Sequence, residues 1–126
     1  MEALHLDTHM LVWLAMGDLS RLSQSGRAAL ESASSLLCSP MARLELAYLE
    51  EVGRIANAAG ILPHLADALG LALATSPWAH VVERATSLRF TRDPFDRLIA
   101  AHADVDNAGL LTADRVMLKH YPRAFT

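Results

Sequence analysis

The sequence predicts an α/β fold, with a mostly parallel sheet covered on both faces by helices. Three observations lead there. Short apolar runs of strand length alternate with longer segments of helical spacing, the pattern of successive βαβ units. No internal repeat, low-complexity tract or linker interrupts the 126 residues, which read as one domain, 1–126. The composition, 52% hydrophobic and 20% charged, suits an ordered core and excludes a disordered chain.

The elements follow in order. Leu4-His5-Leu6 is a short strand ending at Asp7-Thr8. Met10, Leu11, Trp13 and Leu14 then recur at helical spacing, in a helix that stops near Gly17. Ser23 begins a second helix that ends around Ser34, and Leu36 to Ser39 is a second strand. Pro40 opens the next helix at its first position, where a missing N–H costs nothing. That helix carries Met41, Leu44, Tyr48 and Val52 on one apolar stripe, predicted to face the core. Asn57 to Gly60 breaks the pattern, and Pro63 to Gly70 is a short helix. Leu71 to Thr75 is a candidate third strand, and Pro77 to Leu88 a helix with Val81, Val82 and Ala85 inward.

Asp93-Pro94 starts the central helix, with Asp93 as N-cap and Ile99, Ala100 and Ala103 as a narrow packing face. Asp96 falls in its first turn, where the helix dipole favours negative charge and a carboxylate suits a capping box. Asn107-Ala108-Gly109 is a turn, Leu110 to Thr112 a strand and Asp114 to Lys119 a short helix. Tyr121 to Thr126 forms a last edge strand, with Pro122 at its entry.

Composition removes several function classes. No apolar run approaches the ~20 residues needed to cross a bilayer, and the start lacks a signal-peptide pattern, so a cytoplasmic protein is expected. The single cysteine, Cys38, allows neither an internal disulfide nor a cysteine-based zinc site. The six histidines are scattered and HExxH is absent. A net charge of −3 does not advertise nucleic-acid binding, although ten of the eleven basic residues are arginine. A compositional bias of the genome accounts for that skew as well.

Ligands of open parallel sheets bind outside the carboxyl ends of the strands. Asp7 directly follows the first strand and Asp114 lies two residues beyond Thr112, so both belong to one sheet edge. Glu45 sits beside the apolar stripe of its helix, where a carboxylate must find a partner or a cation, or neutralise. With Asp96, four acids from four segments are predicted to meet, with Asp93 nearby. Like charges so gathered disfavour ionisation. A hard divalent cation such as Mg²⁺ resolves the conflict and leaves positions for a substrate phosphate.

The same residues carry a resemblance. Leu6-Asp7-Thr8-His9, Ser39-Pro40 leading to Leu44-Glu45-Leu46, Asp93-Pro94-Phe95-Asp96-Arg97-Leu98-Ile99-Ala100-Ala101 and Leu111-Thr112-Ala113-Asp114 together resemble the PIN-domain ribonucleases, above all the VapC toxins of type II toxin–antitoxin systems. The resemblance spans essentially the whole chain. It implies a three-layer α/β/α sandwich and Mg²⁺- or Mn²⁺-dependent endonucleolytic cleavage of RNA, with tRNA or ribosomal RNA as the usual target. It implies Asp7, Glu45, Asp96 and Asp114 as metal-holding catalytic acids, with Asp93 and Thr112 in support. A homodimer and a VapB-like antitoxin are implied as well. The segment Met41-Ala42-Arg43 departs from the family's Ser/Thr-rich stretch before the glutamate.

Smaller candidates remain open at this level. Ser39 is a helix cap or a partner of a metal-bound water. Arg43, Arg92, Arg97 and Arg115 flank the acids and are either RNA phosphate contacts or solvated surface residues. His9 suits substrate contact or a helix surface. Trp13, Tyr48 and Trp78 read as core or interface residues before base-stacking platforms. Two rival functions are a catalytically silent PIN-fold binding module and a receiver-like phosphoacceptor. The receiver needs a lysine near the last strand, whereas the only lysine, Lys119, falls in a helix.

Overall fold

The computed structural model describes residues 2–126. Five short strands form one sheet: β1 (Ala3–Leu6), β2 (Ser35–Cys38), β3 (Ala72–Leu73), β4 (Gly109–Leu111) and β5 (Ala124–Phe125). Their order is β3-β2-β1-β4-β5 and every pairing is parallel. Parallel strands lie buried on both faces, which is why the central strands read as near-continuous apolar runs. Leu4 and Leu6 of β1 and Leu110 and Leu111 of β4 are all buried. His5, buried between Leu4 and Leu6, is the exception, and its Nε2 meets Asp106 Oδ2 at 2.6 Å.

Seven helices accompany the sheet: α1 (Thr8–Ala15), α2 (Gln24–Ser32), α3 (Pro40–Glu51), α4 (Ala58–Leu69), α5 (Trp78–Ala85), α6 (Pro94–Val105) and α7 (Arg115–His120). The α/β architecture with a central parallel sheet is therefore as the sequence predicts. Helix α6 packs against α3, α5 and β4 through its small residues. Ile99, Ala100 and Ala103 are fully buried, as expected, and so are Ala101 and His102. Cys38 is a buried apolar residue whose thiol burial pushes up to about 12, so it stays unreactive at neutral pH.

The structure corrects three local expectations. In α3 the predicted inward stripe faces out: Leu44, Tyr48 and Val52 are exposed, and the buried set is Ala42, Glu45, Leu46 and Leu49. The two sets differ by one residue, about 100° of rotation. Both faces carry enough apolar side chains to satisfy the period. The close neighbours α1, α4 and α6 choose the one that small Ala42 lets approach. Val82 of α5 is likewise exposed, beside buried Val81 and Ala85.

Helix α4 begins at Ala58 and contains Pro63 rather than starting there. Asn57 enters it in the left-handed region, with φ 56° and ψ 44°. The first N–H of the helix, that of Ala58, donates to Glu50 Oε1 at 2.6 Å. This cap comes from the preceding helix, so no residue of α4 announces it.

Candidate functional site

The strand order reverses at β1 and β4, the central pair, and a switch point of this kind opens a crevice at the carboxyl edge. Asp7 leaves β1 there. Its N–H donates to the Leu111 carbonyl at 3.0 Å, extending the β1–β4 ladder by one bond. Asp7 Oδ1 accepts from the Thr8 N–H at 2.8 Å as the cap of α1, and Oδ2 accepts from Thr112 Oγ1 at 2.6 Å. Thr112 Oγ1 in turn accepts from the Asp114 N–H at 3.0 Å. One hydroxyl thus sets the spacing between two acids 107 positions apart in sequence (114 minus 7). Asp114 caps α7 through Oδ1, which takes the Val116 and Met117 N–H groups at 2.8 and 3.1 Å, leaving Oδ2 free.

Glu45 lies on the buried face of α3, where Thr8 Oγ1 donates to its Oε1 at 2.5 Å. Asp93 caps α6 by accepting the Phe95 and Asp96 N–H groups at 2.8 and 3.3 Å. The capping-box role expected of Asp96 is not taken up. The Asp93 N–H donates to Thr91 Oγ1 at 3.1 Å instead, which leaves the Asp96 carboxyl without a hydrogen bond on the wall of the crevice.

These acids line one open groove of ≈ 760 Å³, with Asp7, Glu45, Asp93, Asp96 and Asp114 all on its wall. Among the described residues none of the five forms a salt bridge; the ion pairs found involve Asp104 and Asp106. Burial and like charge therefore act on Asp7, Glu45 and Asp96 with no salt bridge to offset them, although the charge of His9 works the other way on Asp7 and Glu45. The Asp96 carboxyl is pushed up to about 7, first by burial and then by Asp93, Asp7, Asp114 and Glu45. Burial raises Asp7 and Glu45 as well, against the lowering effect of the hydrogen bonds from Thr112, Thr8 and the Thr8 backbone.

The donor set consists of carboxylate oxygens without a salt-bridge partner among the described residues, the ligand chemistry of a hard divalent cation. It fits such a cation in type and in excess negative charge. Among the described residues no three His, Cys, Asp or Glu side chains form a ready-made metal cluster. The acids share a groove without already closing round a point.

The PIN domain family matches residues 4–123 of this chain. The chain belongs to the PIN domain family. Ribonuclease VapC22 of Mycobacterium tuberculosis is 33% identical over 129 residues, covering 100% of this chain and 98% of its own. Two solved structures with the same fold are DNA-bound VapBC from Salmonella typhimurium and VapBC2 from Rickettsia felis on a fragment of their promoter. The Salmonella structure has TM-score 0.65, 17% identity and coverage of 98% and 96% of the two chains. The Rickettsia structure has TM-score 0.64, 18% identity and coverage of 98% and 99%. PAE2754 from Pyrobaculum aerophilum also shares the fold, at TM-score 0.58 and 18% identity, over 98% of this chain and 88% of that one.

The other candidates of this PIN domain divide clearly. Thr112 supports the acids directly. Ser39 is buried away from the groove, where its Oγ accepts the Met41 N–H at 3.1 Å to cap α3 and meets His102 Nδ1 at 3.2 Å. The cap reading holds. Of the four arginines, only Arg92 lines the groove. Arg43 and Arg115 lie outside its wall. Arg97 points elsewhere, donating to the Ala85 carbonyl at 3.2 and 2.9 Å and to the Thr86 carbonyl at 3.3 Å, at the end of α5. Arg54, in the turn after α3, lines the groove with His9, Tyr48 and Phe95. The rotation of α3 is what turns Tyr48 toward the groove.

Proposed function

We propose that this PIN domain is the toxin of a type II toxin–antitoxin pair, a cytoplasmic, divalent-metal-dependent endoribonuclease acting on tRNA or ribosomal RNA. The observation that carries the reading is the groove in which Asp7, Glu45, Asp96 and Asp114 meet, with Asp93 beside them, and with no cationic partner among the described residues. Full-length likeness to a protein named a ribonuclease supports the activity. Likeness in fold to VapBC complexes supports a VapB-like protein partner. Leu44 and Trp78, exposed on α3 and α5 around one apolar pocket, support a homodimer through that face.

Asp7, Glu45, Asp96 and Asp114 would hold the ion. Mg²⁺ or Mn²⁺ bound there supplies Lewis acidity toward water and the phosphodiester. The chain's own residues do the rest. Thr112 holds Asp7 and the Asp114 backbone in register, and Thr8 holds Glu45. Asp96 keeps a proton near neutral pH while the acids crowd one another and gives it up when positive charge enters. Arg92 and Arg54 balance substrate phosphates against the acidic floor.

Cleavage of total cellular RNA by the purified protein in Mg²⁺ or Mn²⁺, beside EDTA and Asp96→Asn controls, tests this. Discrete fragments that vanish in both controls are expected. A second reading, a catalytically silent PIN scaffold, draws on the lack of a closed metal cluster among the described residues. Folded protein that neither binds Mn²⁺ nor cleaves RNA would establish it.

A further inference from the structure

The groove has a wall that the acids do not explain. Tyr48 stands three residues after Glu45 on α3, about 4.5 Å along the helix axis. The residue is 48% exposed, and its ring lies 5.8 Å from that of Phe95 at an interplanar angle of 31°. Both rings line the groove, one from α3 and one from the first turn of α6. The Tyr48 hydroxyl bonds no described residue, so nothing in the fold accounts for an aromatic ring held half in water beside five carboxylates.

Val52, Arg54 and Arg92 line the same groove. Among the described residues neither guanidinium makes a salt bridge or a side-chain hydrogen bond. A flat apolar ring sharing a groove with free guanidinium groups is the chemistry that takes single-stranded nucleic acid: bases stack on the ring while the cations follow the phosphates. A duplex keeps its bases stacked on one another and offers no free face to such a ring. A purely apolar protein partner has no use for the two arginines.

Resting on the ribonuclease reading, we propose that Tyr48 and Phe95 form a stacking subsite for an unpaired base next to the scissile phosphate. Arg54 and Arg92 hold the neighbouring phosphates. Tyr48 is then a specificity residue beside the acids.

Fluorescence anisotropy with a labelled single-stranded RNA decamer, in Ca²⁺ to separate binding from cleavage, tests this. The controls are a decamer abasic at its central positions and a blunt RNA duplex. Tyr48→Ala is expected to weaken decamer binding by about 5- to 100-fold, the range for losing one stacked base, with abasic and duplex binding unchanged. Tyr48→Phe is expected to bind within about twofold of the parent, because the ring carries the effect. Tyr48→Leu, which keeps apolar surface without a ring and fills the same exposed site, is expected to behave as Tyr48→Ala. Equal affinity of parent and Tyr48→Ala for the decamer overturns the proposal, as does an equal loss on abasic RNA. A change of oligomeric state with RNA affinity intact overturns it too, and assigns the ring to a protein contact. If the parent never cleaves RNA in Mg²⁺ or Mn²⁺ yet binds it in a ring-dependent way, the ribonuclease reading fails and the subsite stands.

Discussion

The Thr8 hydroxyl donates to Glu45 Oε1 across 2.5 Å, joining the first turn of α1 to the middle of α3 where both residues are buried. The same threonine gives its backbone N–H to Asp7, so one residue orients two of the four acids. Replacing it with valine keeps the volume and the backbone bond but removes the hydroxyl. Partners that orient ligands in this way typically matter 10- to 100-fold. Thr8→Val is therefore expected to weaken Mn²⁺ binding about 10-fold or more, read by isothermal titration calorimetry, while circular dichroism stays native.

Asp96 is the acid most crowded by its neighbours. Asp96→Asn removes a like charge while keeping the shape, so the metal-free protein is expected to gain stability as it loses function. A rise of about 3 °C in Tm without metal is expected, the scale of somewhat under 1 kcal/mol for a domain of this size. The stabilising effect of added Mn²⁺ should shrink in the same variant. A lower Tm without metal would mean that Asp96 is tied to partners the groove does not display.

The sign of the pH dependence follows from the same carboxyl. Its folded pKa, about 7, exceeds the ordinary value of 3.8, so the folded state holds the extra proton between those limits. Its contribution to metal-free stability is present at low pH and is lost as pH rises through about 7. A divalent cation reverses this by demanding the carboxylate. The Tm increase on adding Mg²⁺ should accordingly be larger at pH 8 than at pH 6.

His5 and His102 act in the opposite direction. Burial lowers both below the ordinary 6.5, and each has a ring nitrogen with no described partner. Their contribution to stability is full above pH 6.5 and is lost as pH falls through the lowered folded values. His102→Phe is expected to flatten the acid side of the stability profile, whereas Asp96→Asn flattens the neutral side. Denaturant midpoints between pH 5 and pH 8 separate the two.

The rotation of α3 has its own test. Leu46 is fully buried and Leu44 is 56% exposed, although the two are neighbours on one helix. Leu46→Ala is expected to cost about 2–5 kcal/mol in urea unfolding. Leu44→Ala should stay within about 0.5 kcal/mol in the monomer. Equal costs would return α3 to the orientation its periodicity suggests.

The strand and helix order, the caps at Ser39 and Asp93, and the buried face of α6 were legible in the sequence. Each depends on residues a few positions apart: a strand's apolar run, an acid or serine at a helix start, small residues at helical spacing. The four acids were legible for the same reason, because three of them are helix caps or first-turn residues next to their elements.

What only the tertiary structure decided lies between elements. The choice between two apolar faces of α3, the Glu50 cap that starts α4 and the commitment of Arg97 to the end of α5 all rest on partners outside the local pattern. So do the Thr8 and Thr112 bonds that set the acids' spacing, across 37 and 105 positions. Local chemistry determined which acids this chain offers. Packing determined which neighbours each acid keeps, and so exposed Tyr48 and Arg54 beside them, because burial is a property of the assembled elements and not of any one helix.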